Sequence, residues 1–320
     1  MEIFEKSCTH LDAAKQEIAK TIIGQDEVVE QTLTTLISGG HVLLVGVPGL
    51  AKTLLVETLS QVLGLSSNRA QCTPDLMPAE ILGSEVLEED AKGKRNFRFI
   101  EGPVFTQFFM ADEINRAPPR TQAALLQAMQ EKEVSIAGKA RKLPKPFHVI
   151  ATQNPIEQEG TYPLPEAQLD RFLMQVNVDY PDKEAEREII LSTTNNETNK
   201  LKSVMSAKEL LDIQSFVRDM PVGDHIVDMI LDLVRGLRPC LDAHKLVNEY
   251  VAWAPGPRAS QALILCVRAR ALLRGRTAPI EEDVLACAAP VLRHRMALNF
   301  KARSQNIYID DLIFELTKNI

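Results

Sequence analysis

Disulfide chemistry and zinc binding are the first functions that this sequence argues against. Its five cysteines are an odd number, stand far apart and include no Cys-x-x-Cys pair; they are Cys8, Cys72, Cys240, Cys266 and Cys287. Scattered cysteines of this kind are typical of a reduced cytosolic protein and not of a disulfide scaffold. The first residues also lack the charged and apolar regions of a signal peptide. We therefore expect a cytoplasmic protein.

Several other signals are missing. No apolar run approaches the roughly 20 residues of a membrane-spanning helix. The histidines show no metal-ligand spacing such as His-Glu-x-x-His, and the chain has no Gly-x-Ser-x-Gly motif of a hydrolase. A net charge of -7 argues against a surface coated by nucleic acid. What remains is an ordinary globular composition in a chain of 320 residues, which is long enough for two domains.

The segment from Gly46 to Thr53 reads Gly-Val-Pro-Gly-Leu-Ala-Lys-Thr and directly follows the apolar run Val42–Val45. A strand, a glycine-containing turn and a helix start in this order predict a phosphate-binding loop, whose backbone N–H groups bind phosphate oxygens. Lys52 would place its charge near the β- and γ-phosphates, and the Thr53 hydroxyl would be a ligand of Mg²⁺. Ala51 replaces the usual glycine, and we expect that position to be helical already. The alternative is a plain Gly-Pro turn between strand and helix.

A second motif lies at domain-scale spacing from the loop. The mostly apolar run from Val104 to Ala111 ends in Asp112-Glu113. Because ligands of a parallel sheet bind at the carboxyl ends of its strands, Asp112 should emerge beside the phosphate loop, where it can hold the Mg²⁺ water shell. Glu113 can then orient or deprotonate the attacking water. The alternative is a helix N-terminus that carries acidic residues.

Apolar runs alternate with helical patterns in the first part of the chain, which predicts an α/β domain over residues 1–194 with a parallel sheet. The predicted strands are Val42–Val45, Phe108–Ala111, His148–Thr152 and Leu173–Val178, and the helices between them include Thr53–Leu63 and Thr121–Gln130. Residues 195–320 predict a small helical domain without strands, entered through the polar loop Asn195–Lys200. Its predicted helices are Ser206–Met220, Asp224–Leu237, Arg258–Leu273 and Glu281–Arg295.

Two β-hairpins are predicted as insertions into the α/β domain. The first pairs Ser84–Leu87 with Phe97–Ile100, and the second pairs Glu133–Ile136 with Lys142–Val149 across a turn at residues 137–141. Both predicted tips are basic: Lys92, Lys94 and Arg95 on the first, Lys139, Arg141 and Lys142 on the second. Such tips could grip an extended peptide or a nucleic acid backbone, although lysine-rich turns are often only solvated.

Together these motifs resemble the MoxR-type AAA+ ATPases of the helix-2-insert clade. Beyond the phosphate loop, the resemblance rests on four segments: Ile22–Gln25, Ala111–Ala117, Ala151–Pro155 and Leu164–Phe172, with Gly256–Ala259 near the other end of the match. The resemblance implies a P-loop NTPase domain followed by an all-α lid, and ATP hydrolysis by a ring, usually a hexamer, that remodels a partner protein. MoxR-like proteins commonly act with partners that carry a von Willebrand factor A domain, often in the maturation of enzymes or metal centres.

The resemblance also implies residue roles. Asn154 matches the sensor-1 residue, whose amide can hydrogen-bond the attacking water or the γ-phosphate; an Asn-Pro turn is the alternative. Arg171 matches the arginine finger that acts across the subunit boundary, with Arg116 as a second candidate. Arg258 matches the sensor-2 position, from which an arginine of the lid reaches the γ-phosphate. Alternatively, Arg171 forms a surface ion pair and Arg258 points into solvent.

Ile23 and Gly24 match the segment that flanks the adenine in this family, although an ordinary turn before the helix at residue 26 would look the same. The predicted nucleotide contacts therefore comprise Ile23, Gly24, Gly46, Val47, Pro48, Gly49, Leu50, Ala51, Lys52, Thr53 and Leu54. The predicted Mg²⁺ site comprises Thr53 and Asp112, largely through water.

Three functions stay open at this point. The first is an ATP-driven, Mg²⁺-dependent remodeller of partner proteins. The second is a nucleic-acid motor or loader, which the acidic net charge and the lack of aromatic residues near the basic tips make less favoured. The third is a scaffold that ATP gates without turnover. The sequence alone does not identify the partner protein.

Overall fold

The computed structural model describes residues 2–89, 95–156, 160–193, 200–241 and 243–318. Its strands, numbered along the chain, are β1 (Val42–Val45), β2 (Ser67–Gln71), β3 (Gly83–Glu89), β4 (Arg95–Glu101), β5 (Phe108–Asp112), β6 (Glu133–Ile136), β7 (Lys139–Lys142), β8 (His148–Gln153), β9 (Met174–Asn177), β10 (Val251–Trp253) and β11 (Ala297–Leu298). Its helices are α1 (Glu2–Ala19), α2 (Asp26–Ile37), α3 (Lys52–Val62), α4 (Pro78–Leu82), α5 (Pro119–Glu131), α6 (Glu166–Leu169), α7 (Lys183–Thr193), α8 (Ala207–Asp219), α9 (Asp224–Gly236), α10 (Lys245–Tyr250), α11 (Pro257–Leu273), α12 (Glu281–Leu292), α13 (Phe300–Ser304) and α14 (Ile309–Thr317). Short 3-10 turns cover Ile114–Arg116 and Arg293–Arg295.

Five parallel strands form the central sheet in the order β2-β5-β8-β1-β9. Strand side chains alternate between the two faces. Leu43 and Phe109 pack in one buried cluster with residues of α4 and α5, while Leu44 and Phe108 pack in another with α1, α2 and α3. A sheet covered by helices on both faces needs strands that are apolar throughout, and this is the pattern that predicted β1, β5, β8 and β9. The predicted α/β fold class is confirmed.

The sequence does not predict edge strand β2. Its residues, Ser-Asn-Arg-Ala-Gln, are polar and mostly exposed, so no apolar run marks it. Parallel pairing with β5 holds the strand in register from Ser67 opposite Phe108 to Gln71 opposite Asp112. The carboxyl end of β2 therefore lies beside the end of β5, where the two predicted acids stand.

The first inserted hairpin is confirmed. Strands β3 and β4 pair antiparallel from Gly83 opposite Glu101 to Glu89 opposite Arg95. Arg95 begins β4 and forms an ion pair with Glu89 at 3.4 Å. Lys92 and Lys94, the other basic residues predicted for this tip, lie outside the described residues.

The second hairpin differs from the prediction. Its turn consists of Ala137 and Gly138 alone, with φ of 50° and 75°. Two consecutive residues of positive φ form a tight turn whose twist matches that of the flanking strands, so the return strand starts three residues earlier than expected. The predicted return strand Lys142–Val149 is wrong, because its last residues belong to β8 of the central sheet. The basic residues predicted for the tip lie on β7 instead: Lys139, Arg141 and Lys142.

The region after residue 181 is helical, as predicted, with one addition. Strands β10 and β11 form a small antiparallel pair that contradicts the expectation of a region without strands. They are only three and two residues long, which is too short for a hydrophobic period to reveal. Leu210, Val234 and Val267 of this region belong to the same buried cluster as Leu33 and Leu55. The helical region therefore packs on the sheet domain through one continuous core.

Residues 194–199, which include most of the predicted loop and the predicted domain boundary, lie outside the described residues. The boundary between residues 194 and 195 stays a prediction. Among the described helices, none combines the length and the apolar character that crossing a membrane requires.

Candidate functional site

The loop between β1 and α3 contains two glycines that its path requires. A Cβ atom on Gly46 would lie 2.5 Å from the carbonyl oxygen of Val178, so the loop can pass this point only without a side chain. Gly49 has a φ of +85°, a conformation that other residues rarely adopt. Pro48 and Gly49 are exposed, whereas Leu50 is buried and anchors the loop. The result is a turn whose backbone is accessible to a ligand immediately before the helix.

Ala51 contradicts the expectation that this position is already helical. Its φ of 55° and ψ of 21° are left-handed, and α3 begins only at Lys52. A left-handed conformation costs a residue with a Cβ roughly 1–2 kcal/mol. The glycine of the usual pattern would avoid this cost, so Ala51 carries backbone strain at the mouth of the site.

Lys52 lies inside the loop. Its Nζ donates hydrogen bonds to the carbonyl oxygens of Gly46 and Val47, at 2.5 and 2.8 Å. Burial lowers the pKa of the Lys52 ammonium, while the charges of Asp112 and Glu113 act in the opposite direction. The ammonium is therefore within electrostatic reach of both predicted acids. Thr53 and Leu54 follow on the first turn of α3, half-buried and exposed respectively.

Asp112 and Glu113 stand at the carboxyl end of β5, as predicted. The Thr152 hydroxyl of neighbouring strand β8 donates to Asp112 Oδ1 at 2.6 Å and accepts from the Glu113 backbone N–H at 2.8 Å. Glu113 has a φ of 54°, which turns its side chain away from the strand direction. Arg116 donates to Glu113 Oε2 at 3.0 Å. The second finger candidate thus contacts the predicted base of its own subunit.

Two residues of β2 also contact the acids at the carboxyl end of β5, and sequence reasoning missed both. Arg69 forms an ion pair with Asp112 Oδ2. Gln71 donates its amide to Glu113 Oε2 at 2.8 Å, and its own Oε1 accepts from Arg69 at 3.0 Å. The only available signal was a pair of polar residues at alternate positions, about forty residues before the acids. Without the register of β2 this pattern does not show that the two residues contact the acids.

Asn154 follows β8 and is buried. Its Oδ1 accepts a hydrogen bond from the Ile156 backbone N–H at 3.1 Å, and its backbone oxygen accepts from the Asn115 amide at 3.4 Å. The turn that the alternative predicts is therefore present. Because that turn uses the side-chain oxygen, the NH₂ group is the part of Asn154 that can donate toward a ligand.

The predicted adenine-flanking segment is tied to the phosphate loop. Gln25 is buried, and its Nε2 donates to the Leu50 carbonyl oxygen at 3.3 Å. Ile23 and Gly24 immediately precede it in the turn between α1 and α2, beside Ala185 of α7. The structure therefore brings the two predicted nucleotide segments together, although 25 residues separate Gln25 from Leu50.

The arginines predicted to contact phosphate lie in a different place. Arg171 donates to the Leu126 carbonyl oxygen at 2.9 Å and to Gln130 Oε1 at 2.5 Å, both on the last turns of α5. Arg258 opens α11 and forms an ion pair with Asp170 at 3.2 Å. Arg171 is therefore hydrogen-bonded to α5 and does not pair with Asp170. Arg258 is exposed, but its side chain is held by an ion pair and is not free in solvent.

These arginines lie at the amino end of the sheet. The Leu173 N–H donates to the His41 carbonyl oxygen just before β1 and β9 begin, and the two strands stay in register from Val42 opposite Met174 to Val45 opposite Asn177. The phosphate loop follows the other end of β1. Because a strand advances about 3.3 Å per residue, the length of β1, roughly 10 Å, separates the phosphate loop from the two arginines. Arg258 therefore does not reach the phosphate loop of its own subunit in this arrangement.

The site has clear relatives. Residues 41–174 match the family model described as "ATPase family associated with various cellular activities (AAA)", and residues 243–313 match the model described as "AAA lid domain". The first segment contains β1, the phosphate loop, β5 and Asn154, and the second contains α11 and α12.

Two curated proteins and one solved structure are similar over most of their length. "Chaperone MoxR1" of Mycobacterium tuberculosis is 45% identical over 300 residues, covering 93% of this chain and 78% of that protein. "Protein MoxR" of Methylorubrum extorquens is 31% identical, covering 93% and 91%. A crystal structure of a candidate ATPase from Cytophaga hutchinsonii superposes with a TM-score of 0.92 at 36% identity and covers 100% of this chain and 96% of that one.

Proposed function

This chain belongs to the MoxR family of AAA+ ATPases, and we propose that it is a cytoplasmic, Mg²⁺-dependent remodeller of partner proteins that works as a hexameric ring. The observation that carries the proposal is the meeting of the phosphate loop and the two acids at the carboxyl end of β5. Lys52 sits within the phosphate loop, and both acids of β5 lie close enough to influence its pKa. Such a site is suited to a triphosphate.

Nucleotide binding follows from the loop and its neighbours. The backbone N–H groups of Val47 and of the residues from Gly49 to Thr53 would bind the phosphates at the start of α3, where the helix dipole favours negative charge. Lys52 exchanges the two loop carbonyls for the β- and γ-phosphate oxygens. Ile23, Gly24 and the exposed Leu54 border the base and the sugar, and the Gln25 bond to Leu50 keeps the adenine segment and the loop in one place.

The residues present fit a magnesium ion. Mg²⁺ prefers hard oxygen ligands and keeps several waters, so a threonine hydroxyl, a carboxylate and phosphate oxygens suffice. Thr53 and Asp112 would hold the ion, largely through water, and the described residues contain no group of three or more histidines, cysteines or acids that could hold a metal. When bound, the ion neutralises charge that develops on the transferred phosphoryl group.

Hydrolysis then depends on two polar side chains. Glu113 accepts the proton of the attacking water once it is free of Arg116 and Gln71, which hold the same Oε2 atom in this structure. Asn154 donates its NH₂ group to that water or to the γ-phosphate, because its oxygen is already committed to the turn. Neither residue needs a cofactor for this work beyond the magnesium nucleotide.

Arg171 and Arg258 act on the nucleotide of a neighbouring subunit. Arg171 and Arg258 lie together at the amino end of β9, away from the phosphate loop of their own chain. An arginine that stabilises the transferred phosphate must therefore come from the next subunit of a ring, with Arg171 as the finger and Arg258 beside it. Arg116 is less suited to this role because it is paired with Glu113 of its own site.

The partner is a protein and not a nucleic acid. The three described arginines of the two hairpins are each paired with a carboxylate: Arg95 with Glu89, Arg98 with Glu88, and Arg141 with Glu85. Lys139 and Lys142 of β7 are exposed, but the pairing of the arginines reduces the positive charge that a phosphate backbone would need. A relative of 45% identity is named a chaperone. We assign as partners proteins that carry a von Willebrand factor A domain, in the maturation of enzyme complexes.

The experiment uses the substitution Glu113→Gln, which removes the base and keeps the shape. This variant should bind ATP with Mg²⁺, sediment as a hexamer, and retain from native lysate a protein whose mass-spectrometric identity includes a von Willebrand factor A domain. Lys52→Ala is the control and should neither assemble with ATP nor retain that protein. A Glu113→Gln variant that stays monomeric with ATP and Mg²⁺ contradicts the ring, and one that turns ATP over at the normal rate contradicts the base.

A further inference from the structure

The carboxylate of Asp112 already forms an ion pair with a side chain of the same protein. Arg69 of β2 contacts Oδ2, and the Thr152 hydroxyl donates to Oδ1 at 2.6 Å. Both oxygens of the predicted magnesium-binding acid are therefore occupied by donors of the chain itself. A metal ion, or the water shell around it, needs the same oxygens.

The two donors are not equivalent. Thr152 is fully buried on a central strand, and a hydroxyl can rotate to remain hydrogen-bonded to a carboxylate that also faces a metal. Arg69 is on the edge strand, and 47% of its side chain is exposed. A guanidinium close to a divalent cation is repelled by it, and an exposed side chain can move into water at little cost. The arrival of the metal should therefore displace Arg69 and leave Thr152 in place.

Gln71 gives the displacement a second consequence. Arg69 donates to Gln71 Oε1 at 3.0 Å, and the same Gln71 amide holds Glu113 at 2.8 Å. Loss of the Arg69 contact removes one of the restraints that orient this amide. Arg69, which covers the predicted magnesium ligand Asp112, is thus linked through Gln71 to the predicted base Glu113.

We propose that Arg69 is a built-in counter-cation of Asp112, which occupies the magnesium-binding carboxylate until Mg²⁺ displaces it and so sets how strongly Mg²⁺ contributes to nucleotide binding. The inference rests on the proposed function, because it takes Asp112 as the acid that serves Mg²⁺. It assigns to Arg69 a positioning role that the ATPase motifs of the sequence do not contain. The charge of Arg69 then offsets that of Asp112, and the metal must replace the guanidinium.

The test measures the affinity for a fluorescent, non-hydrolysable ATP analogue, once with Mg²⁺ and once with EDTA. The ratio is the dissociation constant in EDTA divided by the dissociation constant with Mg²⁺. It isolates the contribution of the metal and does not depend on turnover. Arg69→Met removes the charge and keeps much of the length, Arg69→Gln is a second uncharged variant, and Arg69→Lys keeps the charge. Arg98→Met is the matched control, since Arg98 forms an exposed ion pair with Glu88 at 3.1 Å on the hairpin.

The uncharged variants should raise the ratio by roughly two- to fivefold, the size expected when an exposed cation no longer competes for a carboxylate. Affinity in EDTA should be unchanged or lower, because the uncompensated charge of Asp112 repels the triphosphate, and Arg69→Lys and Arg98→Met should behave as the unaltered chain does. A ratio that is unchanged or lower in both uncharged variants overturns the proposal. If instead the unaltered chain binds no analogue, or Lys52→Ala binds it equally well, the proposed ATP site itself fails.

Discussion

Arg258 and Asp170 form an ion pair of 3.2 Å that joins the start of α11 to the residue before Arg171. The second oxygen of Asp170 accepts from buried Arg295 at 2.8 Å. Two arginines from the helical region therefore hold the segment that carries the predicted finger. In the proposed ring, this ion pair would keep an arginine of the helical region beside an arginine of the sheet domain.

Mixing two inactive variants tests action between subunits. Arg171→Ala should lower ATP turnover by roughly 10³-fold because the transition-state charge loses its stabilising guanidinium, while each subunit still binds nucleotide. Glu113→Gln subunits lack the proposed base but assemble with ATP and carry an intact Arg171. Equimolar mixtures should therefore regain a measurable fraction of the steady-state turnover. If mixtures are as inactive as the separate variants, while both still assemble, Arg171 does not act in trans.

The strained Ala51 predicts a gain from restoring glycine. Ala51→Gly should raise the free energy of unfolding by about 0.5–1 kcal/mol, because the relief of the left-handed strain outweighs the extra freedom of glycine in the unfolded chain. Urea unfolding followed by circular dichroism measures the change. Ala51→Val is the opposite control and should destabilise, since a β-branched residue tolerates φ of 55° poorly. A loss of stability in Ala51→Gly would contradict the strain.

Two buried histidines predict that acid weakens the fold. His148 Nδ1–H donates to the Gly40 oxygen at 2.8 Å while Nε2 accepts from Gln214 at 2.9 Å, and His41 Nδ1 accepts from the Val149 N–H at 2.9 Å. Each ring thus needs an unprotonated nitrogen. Burial is the main cause that lowers the pKa of His41 to about 3 and that of His148 to about 4.

The sign of the effect follows from proton uptake. Between the ordinary histidine pKa and these lowered values only the unfolded chain binds the protons, so each ring removes up to about 1.4 kcal/mol of stability per pH unit as the pH falls from roughly 6.5 to 4. Urea unfolding at a series of pH values measures this slope. His148→Gln, which can make both hydrogen bonds without titrating, should flatten it. An unaltered slope in that variant would exclude His148 as a source.

Asp283 predicts a strong link between α12 and α11. It is fully buried and accepts from Arg270 at 2.6 Å and from Arg276 at 2.7 Å, and Arg270 also reaches Glu30 of α2 at 3.0 Å. Asp283→Asn should lower the free energy of unfolding by about 3 kcal/mol, because Arg270 and Arg276 lose the buried carboxylate that they share. The matched control is Glu282→Gln, which removes an exposed carboxylate from the same Arg270 and should change stability by less than about 0.5 kcal/mol. Similar effects of both substitutions would contradict the buried network.

The contrast between β5 and β2 shows what the sequence can predict. Strand β5 is an apolar run followed by two acids, so its burial, its direction and the position of Asp112 all follow from the pattern. Strand β2 is polar because it lies at an edge, and pairing with β5 alone defines it. Arg69 and Gln71 therefore contact the acids through a register that no local signal carries.

Backbone conformation was the second limit. Whether Ala51 is left-handed or helical depends on where α3 starts, and a shift of one residue decides it. In the second hairpin, the positive φ of Ala137 shortens the turn and moves three basic residues from a tip onto a strand. A motif locates a loop along the chain, but the dihedral angles come from packing on both sides of it.

Calorimetric titration with ATP and Mg²⁺ tests the central claim most directly, since everything else assumes that the phosphate loop and the end of β5 form one nucleotide site. The account predicts saturable binding by the purified protein at one nucleotide per chain, and its loss in Lys52→Ala at an unchanged thermal midpoint. Absence of binding by the folded protein, or equal binding by Lys52→Ala, would contradict it.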